Sequence, residues 1–166
     1  MMRQANHATH RRSSGFTLIE LLVTLTILAL LATLTLPAAQ LELQRHRERE
    51  LQLALREMRV AIDAYKQAYD QGRIVHTVGA SGYPPTLEIL VEGVEDSSDP
   101  KKRKIFFLRR IPLDPMTGPG GQSDGTNWGT RSYASEANDP QQGDDIYDVY
   151  TRSTAVGLNG IAYRRW

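Results

Sequence analysis

The sequence predicts an α+β chain: one long, bent N-terminal helix that spans a membrane with its first part and packs its C-terminal half on a small antiparallel sheet. Three observations carry this expectation. No charged side chain lies between Glu20 and Glu42, and Leu21 to Leu36 is almost wholly Leu, Ile, Val, Ala and Thr. Leu51, Leu55, Met58, Ile62, Tyr65 and Tyr69 step by four and three residues, the single apolar stripe of an amphipathic helix. Short β-rich runs separated by Gly, Pro and Asp fill the last third of the chain.

With 166 residues the chain makes one domain of ordinary size. Its 20 Lys and Arg nearly balance 19 Asp and Glu, so no bulk charge draws it to nucleic acid. The balance hides an asymmetry. Residues 1–15 hold Arg3, Arg11 and Arg12 and no acid, and without them 17 basic side chains face 19 acidic ones. There is no cysteine, which excludes disulfides, thiolate chemistry and Cys-based metal sites.

Residues 1–15 read as a short basic leader and 16–40 as a membrane-spanning helix. The uncharged stretch is about 30 Å long at about 1.5 Å per residue, which matches the hydrocarbon thickness of a bilayer. A basic leader before it and a long remainder after it place the N-terminus inside and residues 41–166 outside. A secretory signal fits less well: the apolar run is too long, and Pro37 sits three before a cut after Ala39. A twin-arginine signal lacks the hydrophobic residue soon after Arg11-Arg12. A plain anchor fits the hydropathy but leaves Glu20 unexplained, since a carboxylate in a membrane segment is costly and tends to be functional. Thr24, Thr26, Thr33 and Thr35 can bond to carbonyls one turn back. Pro37 removes one intrahelical bond and bends or locally melts the helix.

From 41 to about 70 the helix continues, first through a charged zone at Arg45 to Glu50, read as solvated or inter-subunit, then along the apolar stripe. Gly72 marks its end. Residues 72–104 read as irregular: a rigid turn at Ser81-Gly82-Tyr83-Pro84-Pro85, a short helix capped by Thr86, and a polar loop from Val94 to Lys104. The basic run Lys101-Lys102-Arg103-Lys104 reads as a solvated loop offset by Glu92, Glu95, Asp96 and Asp99. Strands are expected at Ile105 to Leu108, Thr130 to Ser135 and Ile146 to Thr151, with a Gly-rich turn region over Gly118 to Gly125.

The segment Arg11-Arg12-Ser13-Ser14-Gly15-Phe16-Thr17-Leu18-Ile19-Glu20-Leu21-Leu22-Val23 resembles the cleavage-and-methylation signature of type IV prepilins and of the pseudopilins of type II secretion. The resemblance implies a type IV pilin-like fold and a cut by a membrane prepilin peptidase between Gly15 and Phe16, with methylation of the new Phe16 amine by the same enzyme. Glycine lets a protease approach the backbone without a side-chain clash. The freed amine is largely cationic at neutral pH, one helical turn from Glu20, within reach of pairing in its own chain or with a neighbour's. The family implies pairing of Glu20 with the amine of the preceding subunit, which relieves an unpaired carboxylate in the membrane. Pro37 falls where the family has a helix-bending proline.

A looser resemblance covers about 50 residues. Gly82-Tyr83-Pro84, Leu108-Arg109-Arg110-Ile111-Pro112-Leu113-Asp114-Pro115, and Trp128 and Tyr133 ahead of an acidic strand look like the major, G-type pseudopilins. The lack of cysteine agrees with pseudopilins better than with pilins that close a loop by a disulfide. The implied role is structural: a homopolymer that also partners minor pseudopilins and an inner-membrane assembly platform, forming a periplasmic filament that drives type II protein secretion. The alternatives are a type IV pilus subunit for adhesion, motility or DNA uptake, and a tethered periplasmic binding module that never polymerises.

In the resembling group the C-terminal loop binds calcium through clustered acids and carbonyls. Asp144, Asp145 and Asp148 are the candidate ligands here, but Ser153 to Gly160 holds no carboxylate, and a hard cation takes about 6–8 oxygens. Asp99 to Lys104 is a further departure from the group. No enzyme is expected. His7, His10, His46 and His76 lack metal-ligand spacing, Ser123-Asp124-Gly125 lacks a nucleophile-elbow context, and Asp114 among prolines reads as a turn residue.

Overall fold

The computed structural model describes residues 15–117 and 125–166, without the side chains of residues 34–38. The fold is α+β. The element order is helix α1 (Leu18–Asp70), helix α2 (Glu88–Glu92), strands β1 (Val94–Glu95), β2 (Lys104–Ile105), β3 (Trp128–Arg131) and β4 (Asp148–Thr151), and a closing 3-10 turn at Tyr163–Arg165. By contact the chain divides into two compact units, Met1–Glu42 and Leu43–Trp166.

In the first unit the side chains of residues 15–33 are all exposed, apolar ones included: Phe16 and Leu18 each keep 78% of their surface open. Thr24, Thr26 and Thr33 donate their hydroxyls to the carbonyls of Leu21, Leu22 and Leu30, so their polar groups are satisfied within the helix. Among the described residues no helix is long and apolar enough to cross a membrane. The described apolar side chains run from Leu18 to Thr33, about 24 Å at about 1.5 Å per residue. The side chain of Pro37 lies outside the described residues, but α1 runs unbroken through this position, so the helix does not melt there. The leader residues 1–14 and most of the Gly-rich turn region lie outside the described residues.

In the second unit the apolar stripe is the core face of the helix. Leu51, Met58 and Ile62 are 0% exposed, and they join Leu90, Trp128 and Val149 in one buried cluster. Each such aliphatic side chain contributes about 1.5–3 kcal/mol by its burial. Ala54, Ala61 and Ala68 fill the same face, where small side chains let neighbouring segments approach closely. The helix stops in a Schellman motif. The Gly72 N–H donates to the Tyr69 carbonyl at 2.9 Å and the Arg73 N–H to the Ala68 carbonyl at 3.0 Å, with Gly72 at φ +72°. At Gly82, φ is +87° and an added Cβ would lie 2.7 Å from the Tyr69 ring, so glycine is required where the turn docks on the helix.

Several expectations are corrected. The sheet is two separate two-stranded antiparallel ladders, β1–β2 and β3–β4. The loop from Val94 to Lys104 closes on itself through the first of them. β2 ends after Ile105 because the Phe107 and Leu108 N–H groups both turn to the Leu90 carbonyl, at 3.0 and 2.9 Å. β3 begins at Trp128 and ends at Arg131, since the Ser132 N–H leaves the ladder for the Gln141 carbonyl. β4 starts at Asp148, the Ile146 N–H being taken by the Pro84 carbonyl. Leu87, without a side-chain hydrogen bond, stands at the cap of α2 in place of Thr86.

Candidate functional site

The helix start is built by two residues. Gly15, Phe16 and Thr17 precede α1 and are exposed, and among the described residues a Cβ on Gly15 would meet nothing within 4 Å. The Thr17 carbonyl accepts the Leu21 N–H at 3.1 Å, and its hydroxyl accepts the Glu20 N–H at 3.3 Å. Thr17 is thus the N-cap and Glu20 the third helical residue, a threonine-to-glutamate spacing that satisfies an orphan donor of the first turn. The Glu20 carboxylate is exposed, beside the positive end of the helix dipole. Thr17 was missed at the level of sequence, although Thr17-Leu18-Ile19-Glu20 carries the capping-box signal.

Among the described residues this end therefore presents an exposed Gly15 and Phe16, one exposed carboxylate a turn away, and an apolar helix face left open from Leu18 to Thr33. Such a helix needs lipid or other helices around it, since water is a poor solvent for its side chains.

The three acidic candidates for calcium are not brought together. Asp145 accepts hydrogen bonds from the Ser132 hydroxyl at 2.7 Å and the Tyr133 N–H at 2.9 Å. Burial works to raise its carboxyl, but these bonds and one from Ser81 outweigh it and hold the group below the usual range. Asp148 receives the Arg59 Nε–H on Oδ1 at 2.8 Å and an Arg131 Nη2–H on Oδ2 at 3.4 Å. Asp144 is exposed. Among the described residues no three of His, Asp and Glu are placed to hold a metal ion. With each carboxylate oxygen of Asp148 facing a guanidinium, these residues do not fit a calcium cage.

Two cations of the basic run face carboxylates, Arg103 at Asp99 and Lys102 at Glu95, the latter at 3.9 Å. The Asp99 carboxylate accepts the Arg103 Nε–H at 2.5 Å and the Lys101 backbone N–H at 3.0 Å, and Lys104 Nζ donates to the Glu92 carbonyl at 3.1 Å. Asp114 is a buried structural residue: it accepts the Met116 N–H at 2.8 Å across its turn and the Thr151 hydroxyl at 2.5 Å. Part of the charged zone before the stripe is covered by this chain itself, because Glu48 accepts both the Tyr163 hydroxyl and the Leu158 N–H, at 2.8 and 2.9 Å.

Residues 10–36 match the family described as the prokaryotic N-terminal methylation motif. The chain is also 30% identical over 113 residues to the type II secretion system core protein G of Pseudomonas aeruginosa, covering 66% of this chain and 72% of that protein. It is equally similar to the protein of the same name from Aeromonas hydrophila, of which it covers 71%. No solved structure matches the chain. A methylation motif at the head of an exposed apolar helix, and an α+β unit following it in the chain, accompany an identity that spans most of both relatives; the chain belongs to the family of type II secretion system core protein G.

Proposed function

We propose that the protein is the structural subunit of a periplasmic pseudopilus that drives type II secretion, with no catalysis of its own. The observation that carries this reading is the apolar helix from Leu18 to Thr33, exposed throughout among the described residues and headed by the methylation motif. Both relatives are named for a type II secretion component, which supports this reading over a surface pilus.

In this reading residues 1–15 are a leader that prepilin peptidase removes on the cytoplasmic side, and Phe16 becomes the methylated N-terminus. Residues 16–40 anchor the subunit in the inner membrane, and 41–166 lie in the periplasm. The Glu20 carboxylate, with no ion-pair partner among the described residues, meets the Phe16 amine of the preceding subunit; the neutralised pair removes the cost of a lone charge in lipid. Thr17 fixes the first turn so that Glu20 leaves the helix at a defined angle. Pro37 is the helix-bending residue. The partners are further copies, minor pseudopilins, the peptidase and the inner-membrane platform.

Because the chain has no cysteine, single cysteines placed along 18–33 report helix neighbours without background. Oxidation in cells carrying the secretion machinery is expected to give ladders of cross-linked subunits from one face of the helix. A chain that stays monomeric at every position would reject polymerisation.

A further inference from the structure

Arg59 sits in the C-terminal half of α1 and joins three parts of the second unit. Its Nε–H donates to Asp148 Oδ1 at 2.8 Å, and its Nη2 donates to the Val149 carbonyl at 3.3 Å and to a main-chain oxygen of Trp166 at 2.8 Å. A guanidinium is a rigid fork of five donors with a permanent positive charge, so one side chain can organise several oxygens at fixed angles. Arg131 adds a second guanidinium on the other oxygen of Asp148. The segment from 152 to 166 contains no Asp or Glu, so it has no carboxylate side chain to offer a cation. It is held instead by Arg59 at Trp166, and by Glu48 at Leu158 and Tyr163.

A calcium ion in this region would need several carboxylates and carbonyls converging on one point. Here the main-chain oxygens of Val149 and Trp166 and the carboxylate of Asp148 converge on a guanidinium. We propose that Arg59 is a built-in cation that clamps β4 and the closing segment onto α1, and that the domain folds and keeps this segment docked without calcium. The proposal concerns the second unit alone and does not depend on the secretion role.

The test uses the full chain in detergent, with unfolding followed by the fluorescence of Trp128 and Trp166. The wild-type Tm is expected to agree within about 1 °C between excess EDTA and millimolar calcium chloride. Arg59→Met is expected to lower Tm by at least about 5 °C, the scale that loss of charge-assisted bonds produces in a domain of this size. It should also speed tryptic cleavage after the exposed Arg152 and Arg164 several-fold. A wild-type Tm raised several degrees by calcium overturns the proposal, as does an Arg59→Met chain with unchanged Tm and cleavage. If Arg59→Met does not fold, Arg59→Lys decides: it keeps the charge without the fork, and a Lys variant as stable and protease-resistant as wild type overturns the clamp.

Discussion

The Thr151 hydroxyl donates a 2.5 Å hydrogen bond to Oδ2 of Asp114, joining β4 to the turn between Pro112 and Pro115 inside the core. Asp114 is 3% exposed and Thr151 is fully buried. A buried carboxylate deprived of a partner carries its desolvation cost without return. Thr151→Val, close in shape but without the hydroxyl, is therefore expected to lose about 1–3 kcal/mol in denaturant unfolding. Thr151→Ser should recover most of it. Equal stability of the valine variant and wild type would show that the bond contributes nothing.

The end of α1 is tied to the following loop by Arg73, whose Nη2 and Nε reach Asp96 Oδ2 at 2.5 and 3.1 Å. The Arg73 guanidinium, then the Ser98 hydroxyl, hold the Asp96 carboxyl down from 3.8 to about 2. A carboxyl depressed in the folded state stabilises it above the unfolded value, and this contribution fades as pH falls from about 4 through 2. Thermal unfolding between pH 5 and 2 should show a steeper loss for wild type than for Asp96→Asn. Parallel curves would show that the pair does not couple to folding.

Ile62 is wholly buried in the stripe. Ile62→Ala removes three carbons from that packed face and is expected to cost about 2–5 kcal/mol, read by denaturant titration. Leu53, 67% exposed on the opposite face, should tolerate alanine within about 0.5 kcal/mol.

Much of this was legible from the residues. The stripe from Leu51 to Tyr69 and the stop at Gly72 are local, periodic signals, and the structure places both as expected. The sheet was harder to read, because strand limits are set by where single N–H groups go. Phe107 and Leu108 have strand-like side chains, yet the Leu90 carbonyl takes both their donors. Asp148 looked like a metal ligand because its sequence neighbours are acidic. Its true neighbours are Arg59 and Arg131, which are 89 and 17 residues away in the chain. The methylation motif stood out at the level of sequence because its chemistry is linear: a glycine, a phenylalanine and a glutamate at fixed spacing.

Glu20→Val is expected to insert in the membrane normally and to fail in assembly, since it removes the carboxylate that meets a neighbour's amine. Membrane fractionation and recovery of sheared filaments from overproducing cells separate the two steps. Normal filaments from the variant would remove Glu20 from the assembly role. Intact mass of the membrane-bound subunit tests the processing site independently. The expected mass is that of a chain starting at Phe16 and carrying one methyl group, and retention of residues 1–15 would contradict it.

The central claim is tested most directly by comparing exoproteins in the culture supernatant of a deletion strain with those of the same strain carrying the wild-type chain. A secretion subunit predicts that a specific set of folded exoproteins disappears on deletion and returns on complementation. An unchanged supernatant would contradict the account.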